Sequence, residues 1–254
     1  MNITDHGAIV TGGASGMGAE TARALAAAGA RVTIMDVNKE QLEHTAADIG
    51  ALAVECDVTS GDSAEAAVAT ARAAHGAARV LVNCAGIAPA KRIVGRDGPM
   101  PLDDFRRVIE VNLIGSFNLM RLVAADLYAE PVLDDAGERG VIVNTASVAA
   151  YEGQIGQAAY SASKGGIVAL TIQAARDLSG QGIRVVTIAP GFIATPMLLG
   201  MPDDVQHSLA QQAPFPKRFG RPDEFSKLAL HIIDNQMING EVIRLDGGAR
   251  MQAR

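Results

Sequence analysis

Seven short runs rich in β-branched residues punctuate this chain: Ala8 to Thr11, Arg31 to Asp36, Leu52 to Cys56, Val80 to Asn83, Val141 to Thr145, Arg184 to Ala189 and Val242 to Leu245. Between them lie longer, alanine-rich stretches with apolar residues at helical spacing, namely Met17 to Ala28, Lys39 to Ile49, Asp62 to His75, Leu102 to Tyr128 and Ala158 to Leu178. Strand alternating with helix predicts parallel strands joined by crossover helices. Such strands are covered on both faces, which explains why the runs are continuously apolar instead of switching between apolar and polar. The predicted fold is α/β, a doubly wound seven-stranded parallel sheet flanked by helices, in a single domain over residues 1–254.

Three connections are longer than the topology requires. Ile87 to Leu102 carries Lys91, Arg92 and Arg96; Glu130 to Gly140 precedes the fifth run; Gly191 to Pro222 holds only a short helical pattern from Asp203 to Gln212. The first and third are candidate substrate loops, and the third is expected to act as a lid.

A net charge of −6 and a pI near 5.4 argue against a surface built for nucleic-acid phosphates. Two cysteines, Cys56 and Cys84, both at the ends of apolar runs, predict reduced thiols and a reducing, cytoplasmic location. The first strand follows MNITDHG directly, which leaves no room for a leader, and no segment is read as an uninterrupted membrane span. His6, His44, His75, His207 and His231 are scattered without ligand spacing, so a metal site is not expected.

The first strand runs into Thr11-Gly12-Gly13-Ala14-Ser15-Gly16-Met17-Gly18 and then a helix. Glycines in that context let backbone approach a pyrophosphate at a helix N-terminus, the Rossmann-type arrangement. The spacing at Gly12, Gly16 and Gly18 departs from GxGxxG, and the bland alternative is a tight strand-to-helix turn. Asp36, ending the second strand, is placed to accept hydrogen bonds from ribose hydroxyls and to repel a 2′-phosphate. Neither Ser15 nor Val37 supplies an offsetting cation, so the predicted cofactor is NAD. Asp57 and Val58 are expected at the adenine edge, and the small residues of Asn83-Cys84-Ala85-Gly86 permit close cofactor passage.

Tyr160 and Lys164 lie four positions apart in YSASK, on one face of a helix that follows Ser147. Lowering a tyrosine pKa from about 10 to about 7 takes roughly 4 kcal/mol of phenolate stabilisation. An ammonium at about 4 Å with an effective dielectric of about 20 supplies about that much. The pattern predicts Tyr160 as general base, Ser147 as the group holding the substrate oxygen, Lys164 as electrostatic partner and ribose donor, and Asn112 as the anchor of a water leading from Lys164 to solvent. Taken alone, Tyr-x-x-x-Lys is an ordinary helix-surface pair. Phe105, Val108, Ile109, Leu113, Phe117 and Met120 recur at helical spacing and read as core or subunit interface.

TGGASGMG, Asp57, NCAG, Asn112, Ser147, YSASK and Pro190-Gly191 together resemble the short-chain dehydrogenase/reductase family, with Cys84 standing where the family usually has a second asparagine. The resemblance implies NAD contacts from Ser15, Met17, Asp36, Asp57, Val58, Cys84, Tyr160, Lys164, Ile193 and Thr195, and substrate contact from Ser147 and Tyr160. The segments GVIVNTASVAAYEGQIGQAAYSASKGGIV, RVVTIAPG, APFPKRFG and NGEVIRLDGGARM are similar to the branch of that family that oxidises 3-hydroxyacyl-CoA and 2-methyl-3-hydroxyacyl-CoA thioesters to ketones. That similarity implies a homotetramer. A CoA thioester needs cations for its phosphates, for which Lys91, Arg92 and Arg96 are candidates; solvated loop charges are the equal alternative. Two other functions remain open, a dehydrogenase of another secondary alcohol such as a hydroxysteroid, and a non-catalytic NAD-binding partner subunit.

Overall fold

The computed structural model of the protein describes residues 1–253. Its elements are β1 (Gly7–Thr11), α1 (Gly16–Ala27), β2 (Arg31–Asp36), α2 (Lys39–Ile49), β3 (Leu52–Glu55), α3 (Gly61–His75) and β4 (Ala78–Asn83), then a small hairpin of β5 (Val94–Gly95) and β6 (Gly98–Pro99). They continue with α4 (Leu102–Ile109), α5 (Gly115–Tyr128), β7 (Gly140–Thr145), α6 (Ala158–Ser179), β8 (Ile183–Pro190), α7 (Pro196–Leu199), α8 (Asp203–Ala210), α9 (Pro222–Asp234) and β9 (Val242–Leu245). The main sheet has seven parallel strands in the order β3-β2-β1-β4-β7-β8-β9, as the alternation of strand and helix predicts.

Within each continuously apolar strand the side chains still alternate between two helix-covered faces. Val10, Ile34, Val82, Val143 and Ile188 share one core with Leu25 of α1 and Phe225 of α9. Ile9, Leu81, Ile142 and Val185 share the other with Val68 of α3 and Leu119 of α5. The central strands β1, β4, β7 and β8 are buried along their whole length, whereas the edge strand β9 is half-buried. The strand ends that carry functional residues therefore rise from the most deeply buried part of the sheet.

Three features depart from the sequence reading. Helix α9 was not anticipated, because the preceding stretch reads as irregular; it begins with Pro222 and the acidic pair Asp223 and Glu224 and buries Phe225, Ala229, Ile232 and Ile233. The Glu224 carboxylate closes its first turn by accepting from the Arg221 N–H at 2.8 Å. The predicted helix Leu102 to Tyr128 is interrupted by a π-helical turn at Glu110–Ile114, which carries Asn112. That rod also corrects the statement about apolar length: it contains a window of mean hydropathy 1.4, long and apolar enough to span a bilayer, and half of that window is buried within the protein. Both cysteines are free thiols.

Candidate active site

The glycine turn is constrained by contact as well as by conformation. Gly12 and Gly16 adopt positive φ values of 63° and 56°. At Gly18 a Cβ would lie 2.1 Å from the Gly12 carbonyl oxygen, so α1 starts directly against the turn. Helices α2 and α3 begin with side-chain caps from Asn38 and Ser60 and carry an acidic residue in the first turn. Helix α1 has neither a side-chain cap nor an acid there. Its leading N–H groups and the positive end of its dipole are left for an external anion, the chemistry a pyrophosphate needs. A Cβ on Gly16 would contact Thr195 at 3.3 Å, which brings the Ile193–Thr195 segment up to the same turn.

Asp36 sits beside this turn. Its carboxylate accepts from the Ala14 N–H at 3.3 Å and the Asn38 N–H at 3.0 Å, which fixes it in place while leaving it half-buried. The Asp57 carboxylate holds the Thr59 N–H and hydroxyl, and the buried Val58 packs against Gly115. These residues lie at the carboxyl edge of the sheet, the side on which open α/β folds bind dinucleotides.

The Asn83 side chain is engaged by the neighbouring strand ends. Its amide is 2 % exposed and donates to the Ser116 carbonyl and to Asn144, while its carbonyl oxygen accepts from Thr11. The Asn83 side chain thus braces the strand ends, a role that its place in the motif does not reveal. Gly86 has the opposite role, since a Cβ there would lie 3.2 Å from the Asn112 carboxamide oxygen and 3.7 Å from the Lys164 Nζ.

Ser147, Tyr160 and Lys164 converge as predicted. Ser147 begins a short 3-10 turn just past β7 and caps it by accepting from the Ala149 N–H at 3.1 Å. Tyr160 and Lys164 lie in the first two turns of α6, and the Lys164 Nζ is 5.8 Å from the centre of the Tyr160 ring. The ammonium donates to the Thr145 carbonyl at 2.7 Å in a fully interior setting.

The electrostatics of this trio differ from the expectation. Burial pushes the Tyr160 phenol above its ordinary value, and the hydrogen bond with Ser147 only partly opposes that shift. Burial likewise pulls Lys164 down, to about 8, with Cys84 acting weakly in the other direction. For the phenolate, loss of water outweighs the stabilisation that the Ser147 hydrogen bond supplies. Spacing along a helix specified the neighbour; it carried no information about the loss of water. Cys84, whose thiol meets the Thr145 hydroxyl at 3.7 Å, is pushed up to about 11 by burial.

Asn112 is also more committed than expected. Its oxygen accepts from the Ile87 N–H at 2.8 Å, and its nitrogen donates to the Ile87 carbonyl at 2.9 Å and the Ser163 hydroxyl at 3.0 Å. Ser163 in turn donates to the Tyr160 carbonyl at 2.7 Å. The side chain thus joins the loop after β4 to the catalytic helix.

Of the three loop cations, Lys91 is paired with Asp104. Arg92 and Arg96 are exposed, and no ion pair engages them among the described residues. The stretch from Gly191 to Pro222 folds over a cavity of about 210 Å³ lined by Phe192, Ile193, Leu209, Ala213, Pro216 and Leu245. Helix α8 buries none of its side chains.

A doubly wound sheet, an anion-receptive helix start and a converging Ser-Tyr-Lys group make a nucleotide-dependent oxidoreductase. Residues 6–205 match the short chain dehydrogenase family. The chain belongs to that family. It is 52% identical over 250 residues, 96% of this chain and 95% of the relative, to the 3-hydroxyacyl-CoA dehydrogenase type-2 of Bos taurus. The Homo sapiens protein of the same name is 50% identical over the same shares of the two chains. The crystal structure of 3-hydroxyacyl-CoA dehydrogenase type-2 from Mycobacterium avium superposes with a TM-score of 0.93 at 46% identity, covering 98% of both chains.

Proposed function

We propose that the protein is an NAD-dependent dehydrogenase that interconverts 3-hydroxyacyl-CoA thioesters, including 2-methyl-branched ones, with their 3-oxo counterparts. The observation that carries this reading is the Ser147-Tyr160-Lys164 group, with Ser147 and Lys164 buried and Tyr160 half-buried, in a chain about half identical over 96% of its length to enzymes named for that reaction. Bound NAD would supply the two-electron acceptor for the carbinol carbon. Ser147 would hold the substrate oxygen, and Tyr160 would take its proton as the phenolate, a form that burial disfavours and that the Lys164 ammonium and the positive charge of oxidised NAD would favour. Lys164 contributes positive charge beneath the phenol and reaches the nicotinamide ribose. Asn112, through Ser163, keeps α6 in register with the loop after β4.

The choice of NAD over NADP is supported by the fixed Asp36 carboxylate and by Val37, an exposed apolar neighbour where a cation would be needed. Ser15, Gly16, Met17 and Gly18 would hold the pyrophosphate; Asp57 and Val58 the adenine; Cys84, Ala85, Gly86, Pro190, Gly191, Ile193 and Thr195 the nicotinamide half. For the CoA phosphates the reading narrows to Arg92 and Arg96. A homotetramer belongs to the same proposal, supported by an apolar groove of about 420 Å³ between α5 and α6, where Ile114 and Phe117 stay exposed. So does a reducing, cytoplasmic setting, supported by the two free thiols.

The test compares kcat/KM of the purified protein with NAD across short 3-hydroxyacyl-CoAs, 2-methyl-branched analogues and hydroxysteroids. A preference of at least tenfold for the thioesters is expected. An equal or larger kcat/KM for a steroid would replace the substrate assignment, and turnover that survives Tyr160→Phe would remove the mechanism.

A further inference from the structure

Tyr151 to Gln157 join the 3-10 turn that starts at Ser147 to the helix that carries Tyr160. This loop has few bonds of its own, chiefly those between Gln154 and Gln157. Distant parts of the chain hold it instead. The Gly156 carbonyl accepts from the Lys91 N–H at 2.8 Å. The Ile155 N–H donates to the Ala253 carbonyl at 3.0 Å, and the Gln154 side chain donates to the Gln252 carbonyl at 3.2 Å.

Arg244 of β9 is the hub of these restraints. Its guanidinium binds the Glu152 carboxylate through two bonds of 2.9 Å, donates to Asp246 at 2.7 Å and to the Ala249 carbonyl at 3.0 Å, and stacks over the Tyr151 ring at 5.1 Å. Arg250 adds weaker contacts to the same two carboxylates. The Arg244 and Glu152 side chains are each about one-quarter exposed, so the two-pronged pair is partly desolvated and directional. Glu152 is held well below the usual carboxylate range by its bonds to Arg244.

The hub touches the site from two sides. On one, a Cβ on Gly153 would fall 2.2 Å from the Ser161 hydroxyl, so the loop presses directly on the residue after Tyr160. On the other, a Cβ on Gly191 would fall 2.8 Å from the Asp246 Cβ, so the hub abuts the start of the lid segment.

We infer that Arg244 is a positioning residue: by clamping Glu152 and the 246–253 tail together, it fixes the loop that sets Ser147 against Tyr160, which makes the carboxy-terminal tail part of the active-site frame. This rests on the dehydrogenase reading above. The test uses Arg244→Gln, Arg244→Lys, Glu152→Gln and a chain ending at Met251. Measurements are kcat and KM with NAD and the best alcohol, the Kd for NAD, and amide hydrogen exchange of the cofactor-free proteins. Arg244→Gln, Glu152→Gln and the shortened chain should each lower kcat at least tenfold while NAD affinity stays within threefold. Arg244→Lys should recover part of the loss, and the double variant Arg244→Gln/Glu152→Gln should be no worse than Arg244→Gln. Faster exchange should be confined to residues 151–157 and 249–251. Unchanged kcat in a folded Arg244→Gln protein overturns the inference, as does faster exchange spread evenly through the sheet. If the wild type oxidises no alcohol, the functional proposal fails, and the exchange pattern alone then judges the clamp.

Discussion

Replacing Lys164 with methionine should make the protein more stable while removing its activity. Lys164 is 4 % exposed, and its amine is pulled from 10.5 to about 8. At 1.36 kcal/mol per pKa unit, holding the ammonium indoors costs about 3 kcal/mol. Its bond to the Thr145 carbonyl returns about 1 kcal/mol when compared with an apolar replacement. The net expectation is a gain of about 2 kcal/mol for Lys164→Met at pH 7. The pH dependence has a definite sign. Below pH 8 both the folded and the unfolded chain carry the proton, and the full penalty applies. Between pH 8 and 10.5 the unfolded chain binds more protons than the folded one, so wild-type stability rises with pH relative to the variant. Urea denaturation of both proteins at pH 7 and pH 9.5 should show the difference shrinking by about 2 kcal/mol. Cys56, whose shift owes nothing to Lys164, cancels in that comparison, whereas Cys84 feels the Lys164 ammonium and shifts further up when it is removed. A difference that stays constant across this range would refute the claim that Lys164 is a strained interior cation.

Gly18→Ala places a Cβ 2.1 Å from the Gly12 carbonyl, so Kd for NAD, followed by fluorescence titration, should rise at least tenfold while the sheet stays folded. Asp36→Ala should narrow the preference for NAD over NADP, read as the ratio of the two kcat/KM values; an unchanged ratio would show that Asp36 does not read the ribose. Phe225→Ala removes a fully buried ring from the core between α1 and α9 and should cost about 3–5 kcal/mol in chemical denaturation, with kcat per folded molecule retained.

The sheet was legible in the sequence because every main strand is buried on at least one face by a helix, and burial leaves its mark as an unbroken apolar run. Ser147, Tyr160, Lys164 and the glycine turn were legible for a related reason: their spacing is tied to local strand and helix geometry. Helix α9 was overlooked although Phe225, Ala229, Ile232 and Ile233 follow helical spacing, since the proline-rich stretch before it suggested continued irregularity. For Asn83 and Asn112 motif position does not say which neighbours their amides satisfy, and those bonds come only from the fold. The bond between Glu152 and Arg244 spans 92 positions, and only the folded chain brings them together.

The π turn in the long rod has a consequence for how this chain tolerates change. One extra residue per turn offsets the two halves of the rod by roughly 100° relative to an unbroken helix. Upstream, Val108 turns inward; downstream, Leu119, Val123 and Leu127 do so against the sheet. Deleting a single residue between Glu110 and Ile114 would rephase the halves, so that either the upstream or the downstream stripe must swing away from its partner. A length change of one, harmless in most surface loops, is here equivalent to rewriting an entire helical face.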